Sequence, residues 1–235
     1  MSTKRGCPSH PYAIMQLKPP GEPYICSGCR EVGFESSYHC ENSNCSYILH
    51  EECANAVSLA FHPFFPNKCF EFHEKAPGDR QRYCDGCGKD VSGFVYHCSS
   101  KGYDLHPCCL KLKPRISDEE GLVTLELSQK VPFRCVKCKH RNVVKGVKGW
   151  SYVSSGSGEN YCYHVSCVKE LILENYNYRY FSQVALRNME IVPRGRRPRR
   201  LGTIKKYTVL VFKLVFSAIF GNPISAIVAL VEALA

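Results

Sequence analysis

Sixteen cysteines and nine histidines stand in a chain of 235 residues, and their spacing repeats. C-x-x-C pairs occur at Cys26/Cys29, Cys84/Cys87 and Cys135/Cys138, and each is followed by an H-x-x-C pair, His50/Cys53, His106/Cys109 and His164/Cys167. A tight turn between two cysteines lets both sulfurs reach one ion at about 2.3 Å. A His and a Cys at i and i+3 share one face of a helical turn and can do the same. One pair of each kind closes a tetrahedron, the geometry zinc prefers. Three four-ligand zinc sites are therefore expected: Cys26, Cys29, His50 and Cys53; Cys84, Cys87, His106 and Cys109; and Cys135, Cys138, His164 and Cys167.

A second set overlaps the first. His10 precedes Cys26, Cys40 and Cys45 lie between the halves of the first site, and His62 follows Cys53. Eight ligands in this order suit two interleaved zincs, the outer one held by His10, Cys40, Cys45 and His62, with Cys7 a substitute for one of its members. The later repeats depart from this pattern. Lys101 stands five positions before His106, where Cys45 stands before His50. Cys69, Cys98 and Cys108 remain there, with His73 nearby, as material for a rebuilt second site. The third repeat lacks a first ligand, its centre from Lys139 to Asn160 is Gly/Ser-rich, and Cys162 is left over. About four zinc ions per chain are expected, within a range of three to six.

The elements that must position these ligands are short. Extended runs are expected at Tyr12 to Leu17, Phe94 to His97, Gly121 to Leu127 and Trp150 to Val153, with turn residues between them at Gly21, Pro63 to Pro66 and Pro77-Gly78-Asp79. Modules of this size bury too little apolar surface to fold alone, so metal binding must supply much of their folding free energy. Tyr38, Phe94, Tyr103 and Trp150 are read as their miniature cores. The expected divisions are a zinc module over 7–62, a second over 63–113, a partial third over 121–175, a basic linker over 187–206 and an apolar tail over 207–235.

Charge and composition narrow the function. The formal net charge is +10, but residues 187–206 hold eight basic side chains against one acidic. A general attraction to nucleic acid is weakened accordingly, and the H-x-x-C segments are not basic, as His50-Glu51-Glu52-Cys53 shows. The opening MSTKRGCPSH has no apolar core, so no secretory signal is expected. Reduced thiols in a cytoplasmic setting, with the nucleus as a second location, follow. A thiol oxidoreductase would need C-x-x-C in a βαβ setting, which is not present in the pattern. No Cys–His pair stands apart as nucleophile and base. A zinc hydrolase keeps an open coordination position beside a base, whereas these sets are complete. A ubiquitin-ligase cross-brace would carry several C-x-x-C pairs per module; each module here has one.

Tyr38-His39-Cys40, its counterpart Tyr96-His97-Cys98, and the run Gly102-Tyr103-Asp104-Leu105-His106-Pro107-Cys108-Cys109 carry a resemblance. Over residues 7–170 the chain resembles the plant cysteine/histidine-rich family, whose modules are divergent relatives of the C1, diacylglycerol/phorbol-ester-type zinc domain. The resemblance implies small zinc-stabilised α+β modules in tandem, each a short antiparallel sheet with a short helix, two interleaved zincs per complete module, and no catalytic chemistry. It implies an adaptor that docks a protein partner in intracellular signalling or stress response, with a membrane-recruited, lipid-binding adaptor as the alternative. Lipid-binding members of the C1 group hold their groove with a Pro, a Gln and a Gly after the first C-x-x-C. This chain reads Arg30-Glu31-Val32-Gly33-Phe34-Glu35-Ser36-Ser37, with two acids and no Gln, so diacylglycerol binding is not expected.

The tail adds a membrane expectation. Val209 to Val231 is apolar apart from Lys213, Ser217, Asn222 and Ser225, and the arginine-rich run before it has the sign that anionic headgroups attract. Gly221-Asn222-Pro223 splits this stretch, with Asn222 suited to an N-cap and Pro223 to a first helical position. A C-terminal helical hairpin is expected, lying in the membrane interface, spanning it, or packed on the zinc modules.

Overall fold

Every primary ligand pair sits where the backbone is forced into one shape. The computed structural model describes residues 6–117, 124–144, 146–154, 160–174 and 176. After each C-x-x-C the chain enters the left-handed region, at Arg30 (φ 65°), Gly88 (φ 73°) and Lys139 (φ 63°). Each turn is closed by the same two backbone bonds. Cys26, Cys84 and Cys135 donate their N–H groups to the carbonyls of Glu31, Lys89 and His140, and their own carbonyls accept from Arg30, Gly88 and Lys139. This is a rigid knuckle, repeated three times.

Three small antiparallel sheets bring the H-x-x-C pairs to the knuckles, which lie outside those sheets. The first orders β1 (Met15–Lys18), β4 (Ser37–Cys40) and β5 (Ile48–His50), with a separate hairpin of β2 (Tyr24–Ile25) and β3 (Val32–Gly33). The second runs β6 (Leu59–Ala60), β7 (Phe70–His73), β8 (Val95–Cys98), β9 (Tyr103–Leu105). The third runs β10 (Arg115–Ser117), β11 (Thr124–Ser128), β12 (Ser151–Ser154), β13 (Cys162–His164). A short helix follows the last strand of each: α1 (Glu51–Ala54), α2 (Pro107–Leu110) and α3 over 165–174. The α+β module expected from the sequence is thus present three times. The strands expected from Tyr12, Phe94 and Trp150 begin later, at Met15, Val95 and Ser151, and the one expected over Gly121 to Leu127 is present over the described residues Thr124–Ser128. The second and third sheets start earlier than the expected boundaries, since β6 and β10 already belong to them.

The registers superpose the modules residue by residue. Tyr38 pairs with Leu17 and Leu49, Tyr96 with Phe72 and Leu105, and Tyr152 with Leu127 and Tyr163. These tyrosines sit at one position of the repeat and are buried. Phe94 and Trp150, one position before β8 and β12, are buried as well, while Tyr103 is half-buried.

The cores are not separate. One cluster of buried apolar residues runs from Phe34 through Phe70, Val95 and Leu105 to Leu125, Tyr152 and Ile172, and so through all three modules. This answers the burial problem of a fifty-residue unit, because each module covers its neighbour. The hydroxyl of Tyr96 donates to the Val57 carbonyl (3.0 Å) and that of Tyr152 to the Lys113 carbonyl (3.1 Å), tying each inter-module linker to the strand that follows it. The expected basic linker and apolar tail lie outside the described residues. Among the described residues, no helix is long and apolar enough to cross a membrane.

Candidate metal centres

The knuckle presents two sulfurs, and the end of the last strand brings the histidine to them. In all three modules the backbone N–H of the histidine donates to the first cysteine sulfur: His50 to Cys26 (3.4 Å), His106 to Cys84 (3.4 Å) and His164 to Cys135 (3.5 Å). In all three, Nδ1 faces the second cysteine: His50 to Cys29 (3.3 Å), His106 to Cys87 (3.3 Å) and His164 to Cys138 (3.4 Å). The helix then supplies the last sulfur, with Cys53 3.8 Å from His50 Nδ1 and Cys167 3.7 Å from His164 Nδ1. Zinc bonds of about 2.3 Å to sulfur and 2.0–2.1 Å to nitrogen in a tetrahedron place neighbouring ligand atoms about 3.5–3.8 Å apart. The observed Nδ1 to sulfur separations match that edge to within a few tenths of an ångström.

Each primary set gathers its four ligand atoms within 4.8 Å of one another. They are the sets read from the spacing: Cys26, Cys29, His50, Cys53; Cys84, Cys87, His106, Cys109; and Cys135, Cys138, His164, Cys167. All are buried except Cys138, which is half-buried. His106 donates from Nε2 to the Asp90 carbonyl (3.0 Å), which fixes the tautomer and leaves the Nδ1 lone pair for a metal. The crowded sulfurs share protons unevenly, with neighbouring thiols and burial raising Cys29, Cys53, Cys109 and Cys167. Hydrogen bonds from Cys167 and His164 pull the Cys135 thiol down to about 3 against its burial. Burial works against a charged His50, yet the surrounding sulfurs raise it to about 9.

A fourth cluster forms from Cys7, His10, Cys40 and Cys45. Cys7 Sγ lies 3.6 Å from His10 Nδ1 and 3.6 Å from Cys45 Sγ, and Cys40 Sγ lies 3.7 Å from the same nitrogen. Burial would raise the Cys7 thiol, but hydrogen bonds from His10, Cys45 and the backbone hold it at about 7. His62, expected as the last ligand here, is not in this cluster, and Cys7 takes its place. The cause is the repeat itself. The turn Cys7-Pro8-Ser9-His10-Pro11, where His10 N–H bonds the Cys7 carbonyl, recurs as His62-Pro63-Phe64-Phe65-Pro66, where Phe65 N–H bonds the His62 carbonyl. His62 therefore opens the second module at the position Cys7 holds in the first. The two C/H-P-x-x-P phrases were the signal that distinguishes them.

The second module has turned that place into core. Phe65 stands for His10 and Lys101 for Cys45. His62 packs on Trp150 and Phe64 (ring centres 4.7 and 5.1 Å), and Phe65 on Tyr103 (4.6 Å). The rebuilt site expected from Cys69, Cys98 and Cys108 is not assembled. Cys69 is exposed, Cys98 lies 3.4 Å from the Ser100 hydroxyl, and Cys108 lies 3.6 Å from Lys169 Nζ. His97 is taken up by Asp104 (2.8 Å). In the third module Ser154 pairs with Leu125 where the cysteines of the earlier repeats end their strands, and Cys162 gives its thiol to the Phe133 carbonyl (3.3 Å).

A carboxyl beside the first site gives a pH signature. Glu35 lies in a cavity of about 180 Å³ with Tyr24, His50, Glu52 and Lys113, and burial raises its carboxyl to about 7. Below its unfolded value of 4.5 both states hold the proton, and between 4.5 and 7 only the folded state does, so its effect on stability falls as pH rises. Glu35→Gln is expected to flatten the decline in melting temperature of zinc-loaded protein between about pH 4.5 and 7. Parallel pH profiles for the two proteins would show that Glu35 ionises normally.

Residues 7–54 match the family model of the C1 domain. No curated protein and no solved structure matches the chain. The matched stretch contains both ligand sets of the first module. Residues 7–54 are thus similar to a C1 zinc domain, and four clusters of three cysteines and one histidine give the chain places for about four zinc ions. Zinc in such sites supplies folding free energy, and the thiolates and histidines hold it without an added ligand.

Proposed function

We propose that this protein is a non-enzymatic, zinc-scaffolded adaptor that docks a protein partner, in intracellular signalling or stress response. The observation that supports the reading most is the separation of metal from surface. Four protein ligands complete each cluster, and in the first two primary sites Cys26, Cys29, Cys53, Cys84, Cys87 and Cys109 have no exposed surface, which leaves a substrate no path to those positions. Recognition then falls to the exterior. Val57, Leu59 and Phe61 are 47%, 55% and 71% exposed. Leu59 lies on β6, which among the described residues is the edge strand of the second sheet, and Val57 and Phe61 flank it. An edge with three exposed apolar side chains suits an extended apolar segment of another protein.

Proximity labelling with the full chain and with Val57→Ser/Leu59→Ser/Phe61→Ser tests this. The variant should keep its zinc and lose the strongest labelled proteins. An unchanged set of labelled proteins would overturn the edge as the docking surface. The lipid-binding alternative predicts a different result, in which both proteins bind anionic vesicles equally and neither labels a defined protein.

A further inference from the structure

The two module junctions are built alike, and both are built on the metal-binding turns. Phe94 of the second module donates its N–H to the Gly28 carbonyl (3.0 Å), inside Cys26-Ser27-Gly28-Cys29. Trp150 of the third donates to the Gly86 carbonyl (2.7 Å), inside Cys84-Asp85-Gly86-Cys87. A glycine precedes each aromatic residue. A Cβ on Gly93 would drive into the Gly28 carbonyl oxygen, and a Cβ on Gly28 would stand 2.5 Å from the Phe94 ring. At this first junction the fit leaves no room for a side chain on either partner, whereas at the second a Cβ on Gly149 would stand 3.5 Å from the Gly86 carbonyl oxygen.

The ends of the array lack the matching halves. The first module carries Glu35-Ser36 where the others carry Gly-aromatic. The third carries Lys137 where the others carry the receiving glycine, and its Nζ is held by Glu170 (2.7 Å) and Glu174 (2.9 Å) of α3. The contact is thus specific to internal junctions, as capping repeats require. A charged clasp adds to it. Lys169 of α3 is 4% exposed, and its Nζ lies 3.3 Å from Glu31 of the first knuckle and 3.6 Å from Cys108 Sγ of α2. Three modules meet at one buried ammonium.

We propose that these junctions couple the zinc sites of the three modules, so that the primary sites load and release metal cooperatively. The docking carbonyls belong to the residues between paired ligands. An ion on Cys26 and Cys29 fixes the turn that presents the Gly28 carbonyl, and docking of Phe94 in turn holds that turn in its ligating shape. Coupling of this kind is reciprocal. The Lys169 clasp works in the same direction, because a zinc held by three thiolates and a neutral histidine carries a net negative charge that favours a buried cation nearby.

The test uses the full zinc-loaded chain, titrated with a chromophoric chelator while zinc release and limited proteolysis in the linkers are followed together. Wild type should release the primary-site ions in one steep step that coincides with linker cleavage. Gly93→Ala alters no ligand. It should split the release into separate steps, lower the chelator concentration for the first by roughly five- to a hundredfold, and open the linker around residue 57 early. Glu31→Gln/Lys169→Met, which removes the clasp without leaving a lone charge, should broaden the step in the same sense and serves if Gly93→Ala fails to fold. Independent release from wild type, or wild-type profiles from both variants, would overturn the coupling.

Discussion

Cys84→Ser is expected to cost the protein a zinc ion and the folded second module together. Cys84 is fully buried, accepts the His106 N–H, and lies with Cys87 and Cys109 inside the apolar cluster that contains Phe70, Val95 and Leu105. A serine hydroxyl keeps its proton at neutral pH and offers zinc a poor ligand in place of a thiolate. Structural zinc binding contributes of order 10 kcal/mol, comparable to or larger than the whole stability of a domain this small. The cluster continues into the first and third modules, so the damage should spread beyond residues 59–110. Elemental analysis should find three ions or fewer, with a melting transition that is lower and broader. Cys98→Ser is the control, since Cys98 is buried in the same module but belongs to none of the four clusters. Four ions and a wild-type melt from Cys84→Ser would remove that residue from the zinc sites.

The primary sites were readable in the sequence because their geometry is local. C-x-x-C and H-x-x-C each fit within one turn, and only the closing of one pair on the other needs the sheet. Strand starts were less readable. Tyr12 continues the apolar pattern outward, but the backbone there is spent on a turn that joins Ala13 N–H to the His10 carbonyl. The junctions could not be read at all. Nothing near Gly93 or Gly149 marks them as docking points, because the carbonyls they approach lie in the preceding module. Cys108 shows the same limit. Its sequence neighbours suggested a ligand for its own module, and packing instead turned it toward Lys169 and the first site. The outer site was half legible, since spacing alone does not say which copy of a repeat a histidine opens.

That last ambiguity makes a sharp experiment, because Cys7 and His62 occupy equivalent positions with opposite duties. Cys7→Ser should remove one zinc. Cys7 is 1% exposed, and its sulfur is in reach of both His10 and Cys45, so its loss leaves three ligands and an open position. His62→Ala should leave all four ions in place. Its imidazole is buried against Phe64 and Trp150, and its Nδ1 accepts the Phe64 N–H (3.1 Å). Truncation leaves a cavity and an unpaired donor, for a cost of about 2–3 kcal/mol without loss of metal. Cobalt substitution reports the difference directly. Charge-transfer absorption per chain should fall in Cys7→Ser, by the share of one site in four, and stay unchanged in His62→Ala. If the histidine variant lost the ion and the cysteine variant kept it, the outer site would close on His62, and the repeat register that places Cys7 and His62 at one position would be wrong.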